Sequence, residues 1–190
     1  MSPQPQPAEV LLFWFGTPGE QGKRRWFDKS TAFDREVRGR FLAAYEEGVA
    51  GELSQWKQAA RDCLALIVLL DQFPRNMFRG TARAFAADLL ALDAARHAVA
   101  RQYDCDLMPV ERMFTYLPFE HSESLGDQVR ACELTKPLEA FAETADAYRY
   151  ALAHRDIIER FGRFPHRNAI LGRVSTPEEI AFLEQPGSSF

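Results

Sequence analysis

Three short stretches of this chain gather residues that can hold or move charge. The first is Asp71-Gln72-Phe73-Pro74-Arg75-Asn76-Met77-Phe78-Arg79-Gly80. Asp71 stands at the end of a run, Cys63 to Leu70, that is apolar on every face of a helix. A carboxylate there meets the negative end of the helix dipole and a desolvation cost. An arginine within hydrogen-bond reach offsets both, so an Asp71–Arg contact is predicted, either as a structural ion pair or as part of a site. The second stretch is Arg160-Phe161-Gly162-Arg163-Phe164-Pro165-His166-Arg167-Asn168, followed by Leu171-Gly172-Arg173. Its Phe-Pro-His-Arg-Asn echoes Phe-Pro-Arg-Asn at 73–76. The third is Tyr116-Leu117-Pro118-Phe119-Glu120-His121-Ser122-Glu123. Its first half reads as apolar and extended. Its second half offers either a His–Glu acid–base pair or capping and loop chemistry.

Charge ties these stretches together. Residues 71–83 hold three Arg against one Asp, and 154–173 hold five Arg against two acids, so these 33 residues carry +5 in a chain of net charge −4. The other 157 therefore carry −9. A basic island in an acidic protein suggests a small anionic ligand or an acidic partner. Guanidinium groups suit carboxylate or phosphate recognition. On this reading Arg75, Arg79, Arg163 and Arg167 hold the anion, and Asn76 and Asn168 orient it. Asp71, His121 and His154 are the candidate proton-transfer groups, and Glu123, Arg160 and His166 complete the candidate site. The plainer alternative is that the arginines only neutralise Asp71, Glu120 and Glu123. His154 falls on the stripe Ala147, Ala151, His154, Ile158, Phe161, which puts it on a buried helix face, as a core histidine or as the floor of the same pocket. The histidines share no metal-ligand spacing, so no metal site is predicted. Phosphate-loop, dinucleotide and nucleophile-elbow motifs are absent, and the residues identify no cofactor.

The elements that must position these groups read as helices throughout. The first spans about Pro7–Phe15 and ends at Gly16, after a loose arm over residues 1–7 and before a loop over 16–25 with Lys23, Arg24 and Arg25. The second opens at Ser30 or Thr31, with Thr31 and Asp34 as a capping box, and ends near Gly48 and Gly51. The third runs from Ser54 to Phe73, with Pro74 as its stop. A fourth covers Thr81 to Gln102. Residues 103–121 are broken by Asp104, Asp106, Pro109 and Pro118. Ser124 and Asp127 suggest a capping box for a helix that Pro137 kinks or splits. The next covers Ala145–Phe161, and the last starts at Thr176 with Pro177 at its first position and Glu179 completing the box. No stretch alternates with period two. The fold class expected is all-α, a single helical domain over residues 1–190. No 34-residue repeat is visible.

The acidic balance argues against a nucleic-acid partner. Cys63, Cys105 and Cys132 lack disulfide or metal spacing and read as reduced thiols of a cytoplasmic protein. The runs Val10–Phe15 and Leu64–Leu70 are too short for a signal core or a membrane span. The three charged stretches, with Val-Leu-x-Phe-Trp-Phe-Gly at 10–16 and the Thr-Pro-Glu-Glu helix start at 176–179, resemble the hallmark strings of a bacterial family of uncharacterised proteins, the domain of unknown function 924. The resemblance spans nearly the whole chain. It implies an all-α fold similar to tetratricopeptide-like helical arrays, and it implies no activity. The residues thus favour a binding protein or enzyme for a small anionic molecule. The rival is a non-catalytic helical scaffold for a protein partner.

Overall fold

A computed structural model describes residues 5–17, 26 and 29–188. Every regular element in them is helical. The helices are α1 (Pro7–Phe15), α2 (Thr31–Val49), α3 (Ala60–Met77), α4 (Asp88–Ala100), α5 (Pro109–Glu120), α6 (Leu125–Thr135), α7 (Ala147–Phe161) and α8 (Pro177–Leu183). Short 3-10 turns join several of them. Most of the 16–25 loop, and residues 1–4 of the expected arm, lie outside the described residues.

Helix α3 is the axis of the fold. It packs against α1, α2, α4 and α5, and every residue from Cys63 to Pro74 is buried. This is what an unbroken apolar run predicts. Each Leu, Ile or Val buried there contributes about 1.5–3 kcal/mol. The aromatic excess of the sequence is spent at the α1 end of α3, where Phe13, Phe41 and Phe73 meet ring to ring, and Trp14 sets its edge against Phe114 at 5.7 Å. Gly48 lies inside α2 and does not terminate it: a Cβ there would stand 3.2 Å from Leu70 Cδ2, so glycine lets α2 approach α3. Helices α5, α6 and α7 follow one another as packed neighbours.

Local signals and structure differ at several places. The third helix is preceded by a 3-10 turn at Ser54–Gln58 and does not stop at Pro74, which lies within it. The helix-interior proline penalty of about 3 kcal/mol is outweighed by burial of Phe73, Met77 and Phe78. In the disturbed turn the Asp71 carbonyl accepts from Arg75 Nη1 at 2.5 Å. The expected Thr81–Gln102 helix is a 3-10 turn followed by α4, which starts at Asp88. Residues 116–119, expected to be extended, belong to α5: Pro109 occupies its first turn, where proline starts helices, and Pro118 sits in its last. The helix opened by Ser124 is split at Pro137, as expected: α6 ends at Thr135 and a 3-10 turn covers Lys136–Ala140. Neither of the first two capping boxes forms. Ser30 caps α2 by accepting from Phe33 N, while Asp34 binds Asn76 and Arg79. Asp127 binds Arg96 and Ser122. The third box forms as predicted, with Thr176 Oγ1 accepting from the Glu179 N–H and Glu179 Oε2 accepting from the Thr176 N–H.

Candidate functional site

The C-terminal half of α3 delivers Asp71 to the interior, where it is 0 % exposed. Its carboxylate accepts from His121 Nδ1 at 2.7 Å and Gln72 Nε2 at 2.6 Å, and Arg75 Nη1 stands 3.3 Å away. Burial alone would raise this carboxyl, but Arg75 and His121 outweigh burial and hold it well below the usual carboxylate range. An ionised carboxylate only accepts, so the pattern assigns the imidazole proton to Nδ1 and leaves Nε2 as the basic nitrogen. Burial, then Arg75, lowers His121 and favours the neutral ring.

His121 is the residue that ends α5, and its place is fixed from α6. The Gln128 side chain, 0 % exposed, donates to the carbonyls of Glu120 at 2.7 Å and Ser122 at 2.6 Å. The first is an acceptor the helix end leaves open, and the second lies just beyond it. Ser122 Oγ donates to Asp127, which Arg96 holds from α4.

A ladder of alternating charges leads from Asp71 to the loop after α7. Arg75 donates to both oxygens of Asp88, at 3.0 and 3.2 Å. Asp88 is the first residue of α4, where the helix dipole favours an acid. Arg167 donates to the same carboxylate, at Oδ2, over 3.3 Å. Its guanidinium carbon lies 4.7 Å from the Phe85 ring centre and 4.5 Å from that of Phe164. Burial, then Arg75, pushes Arg167 down to about 10. A second tie joins Glu123, between α5 and α6, to Arg173 at 2.7 Å and to the Phe164 backbone N–H at 2.8 Å. Burial raises Glu123, but these two partners hold it below its ordinary value.

Behind His121 lies a nearly dry layer. His154 faces it from α7, ring centres 6.3 Å apart. His154 Nδ1 lies 2.8 Å from the Tyr150 carbonyl and 3.7 Å from Glu120 Oε2. Burial holds His154 down at about 3 and raises Glu120, beside the charge of Asp71, to about 8. His166 is lowered to about 4, by burial and then by Arg167. Phe164 meets the His154 ring edge-on at 5.7 Å and the His166 ring at a tilt at 5.5 Å. At neutral pH the layer therefore holds neutral imidazoles and a protonated glutamic acid beside an ionised aspartate.

The front of His121 lines a cavity of about 290 Å³. Asp88, Ser122, Glu123 and Arg167 share that lining, with Phe85, Leu89, Leu92, Pro118 and Leu171 among its apolar walls. A larger hollow of about 710 Å³ lies on α2 between Arg35 and Glu46, but it is open and has no buried titratable group.

Asp71, Arg75, His121, Glu123, His154, His166 and Arg167 are thus brought together from all three stretches. Asn76, Arg79, Arg160, Arg163 and Asn168 are not. Asn76 and Arg79 both bind Asp34, and Arg163 and Asn168 both bind Glu179, so each charged loop clamps a carboxylate in the first turn of a neighbouring helix. Arg160 binds Glu178 at the exposed surface. The Phe-Pro echo is therefore structural: Asn76 and Asn168 anchor the loops, while Arg75 and Arg167 converge on Asp88. Sequence reading missed Asp88, Phe85, Gln128 and Arg173 as parts of the site. Asp88 was hidden by reading 81–102 as one helix, although Asp following Ala86-Ala87 is a helix-start signal. Among the described residues no group of three or more His, Cys, Asp and Glu is arranged to hold a metal ion.

The model of a family described as "Bacterial protein of unknown function (DUF924)" matches residues 10–187. The solved structure of ATU0120, a protein of unknown function from Agrobacterium tumefaciens, is similar at TM-score 0.85 and 45% identity, over 94% of this chain and 96% of that one. Among curated proteins none matches.

Proposed function

The chain belongs to this bacterial family of proteins of unknown function, and from that premise, which supplies no activity, we propose that the cavity binds a small anionic molecule on Arg167 and that His121 exchanges a proton with it. The observation that carries this reading is the 2.7 Å contact between Asp71 and His121 on a ring that lines the same cavity as Arg167. A buried carboxylate fixes the imidazole's orientation and tautomer, and would stabilise the imidazolium that forms when Nε2 takes a proton. Arg167 supplies the electrophilic partner, its guanidinium carbon within 5 Å of the Phe85 and Phe164 ring centres.

A thermal-shift screen of small metabolites against the whole chain tests the reading, with Arg167→Met and His121→Gln run alongside. An anionic ligand raises the melting temperature of the wild type, and at 100 times its Kd the linkage is worth about 2.7 kcal/mol. The reading requires that Arg167→Met lose this response, and that His121→Gln keep binding but lose any turnover. Hits that are all neutral, or that bind Arg167→Met equally well, would favour the scaffold for a protein partner.

A further inference from the structure

Resting on that reading, we infer that the ligand is a small monocarboxylic acid with an apolar chain or ring, its carboxylate on Arg167 and its apolar body against Phe85, Leu89, Leu92 and Leu171. Three observations lead there.

The first is the donor inventory. Arg75 spends its guanidinium on Asp71 and Asp88, and Arg173 binds Glu123 and the Phe164 carbonyl, its Nε buried without an acceptor but away from the cavity lining. Arg167 makes one hydrogen bond, 3.3 Å long, although its side chain is only 8% exposed. Its Nε is buried with no acceptor. A guanidinium offers five N–H bonds, and burying them without acceptors is costly. Of the cavity's charged groups, this is the one with donors to spare for a ligand.

The second is the sign of the rest of the lining. Asp88 and Glu123 both line the cavity. Arg75, Arg167 and Arg173 already pair with Asp71, Asp88 and Glu123, so one further negative charge is compensated only by the proton that His121 takes up. A second would face two carboxylates in a partly desolvated space. Phosphate monoesters and dicarboxylates are therefore disfavoured, and a single carboxylate fits.

The third is the remaining wall. Leu89 is 80% exposed and Leu171 37% exposed, yet both belong to the cavity. Apolar side chains at the rim gain from an apolar occupant and not from a sugar or a phosphate. A recess of about 290 Å³ holds roughly ten water-sized units, so about ten non-hydrogen atoms of an occupant are enclosed and any further ones reach solvent.

Calorimetric titration of the whole protein with straight-chain monocarboxylates from acetate to decanoate tests the class, against matched primary alcohols, α,ω-dicarboxylates and inorganic phosphate. Affinity should rise about fourfold per methylene until the cavity fills near eight carbons. The alcohols and dicarboxylates should bind at least tenfold more weakly. Leu89→Ser, at an exposed position that leaves the core untouched, should flatten the chain-length dependence while acetate binding persists. If phosphate or dicarboxylates bind as tightly as the long acids, or if chain length has no effect, the inference is overturned while the anion reading stands. If alcohols match the acids, or nothing binds, both fall.

Discussion

Replacing Asp71 by alanine should destabilise the protein by about 3–5 kcal/mol. The side chain it removes is 1% exposed and accepts from His121 and Gln72 while standing 3.3 Å from Arg75. Two buried donors are left without an acceptor, at about 1–3 kcal/mol each. Arg75 keeps both oxygens of Asp88, so it is not stranded, which holds the loss within the range for a broken buried pair. The loss is a large fraction of the 5–15 kcal/mol typical of a folded domain. Urea unfolding followed by tryptophan fluorescence measures it, since Trp14 and Trp56 are both buried. Acid adds a sign test. Asp71 is lowered in the folded state, so its contribution is complete above the unfolded carboxyl value of 3.8 and is lost as pH falls below it. The gap between wild type and Asp71→Ala should thus stay level from pH 7 to pH 5 and narrow only in stronger acid. A change within about 0.5 kcal/mol at pH 7, the size seen at unconstrained surface sites, would refute the buried pairing.

Glu120 gives the opposite pH dependence. It is raised from 4.5 to about 8 by burial, so stability is lost as pH rises through that window, and Glu120→Gln should gain about 1–2 kcal/mol on wild type between pH 6.5 and 8, read from paired denaturation curves. His154, lowered from 6.5 to about 3, costs stability as pH falls below 6.5, so wild type should be most stable near pH 6. Glu179→Ala removes the acceptor shared by Arg163, Asn168 and the Thr176 N–H; a loss of about 1–3 kcal/mol with faster proteolysis after residue 163 is expected, and an unchanged digestion pattern would contradict the clamp. Cys105 is exposed while Cys63 and Cys132 are buried, with Cys63 raised to about 11, so a disulfide reagent should modify one thiol quickly and three only after unfolding.

Much of this arrangement was legible before any coordinates. The apolar run at 63–70 announces α3, and an acid at its end announces a compensating cation. The stripe through His154 places that ring on a buried face, and Thr176-Pro177-x-Glu179 marks a helix start. Prolines were the weak point. Pro74, Pro109 and Pro118 read alike as breakers, yet they lie inside, at the start and in the last turn of helices, because a first-turn proline costs nothing and burial of apolar neighbours offsets the cost of an interior one. The arginines could not be sorted from sequence either. Arg75, Arg79, Arg163 and Arg167 are equivalent as residue types. Which of them faces a cavity depends on where Asp34, Asp88 and Glu179 arrive, and those acids sit on other helices, whose packing the local sequence does not give. Gln128 carried no signal, since a buried glutamine that caps another helix looks like any polar position.

The central claim is that Asp71 fixes His121 as a neutral base with Nε2 toward the cavity. Long-range proton–nitrogen NMR of the histidine rings at pH 7 tests it directly. His121 should show the Nδ1–H tautomer, which Asp71→Asn should lose, and its Nε2 resonance should move when a carboxylic acid that depends on Arg167 is titrated in. An Nε2–H tautomer in the wild type, a doubly protonated ring at pH 7, or a tautomer indifferent to Asp71→Asn would contradict the account.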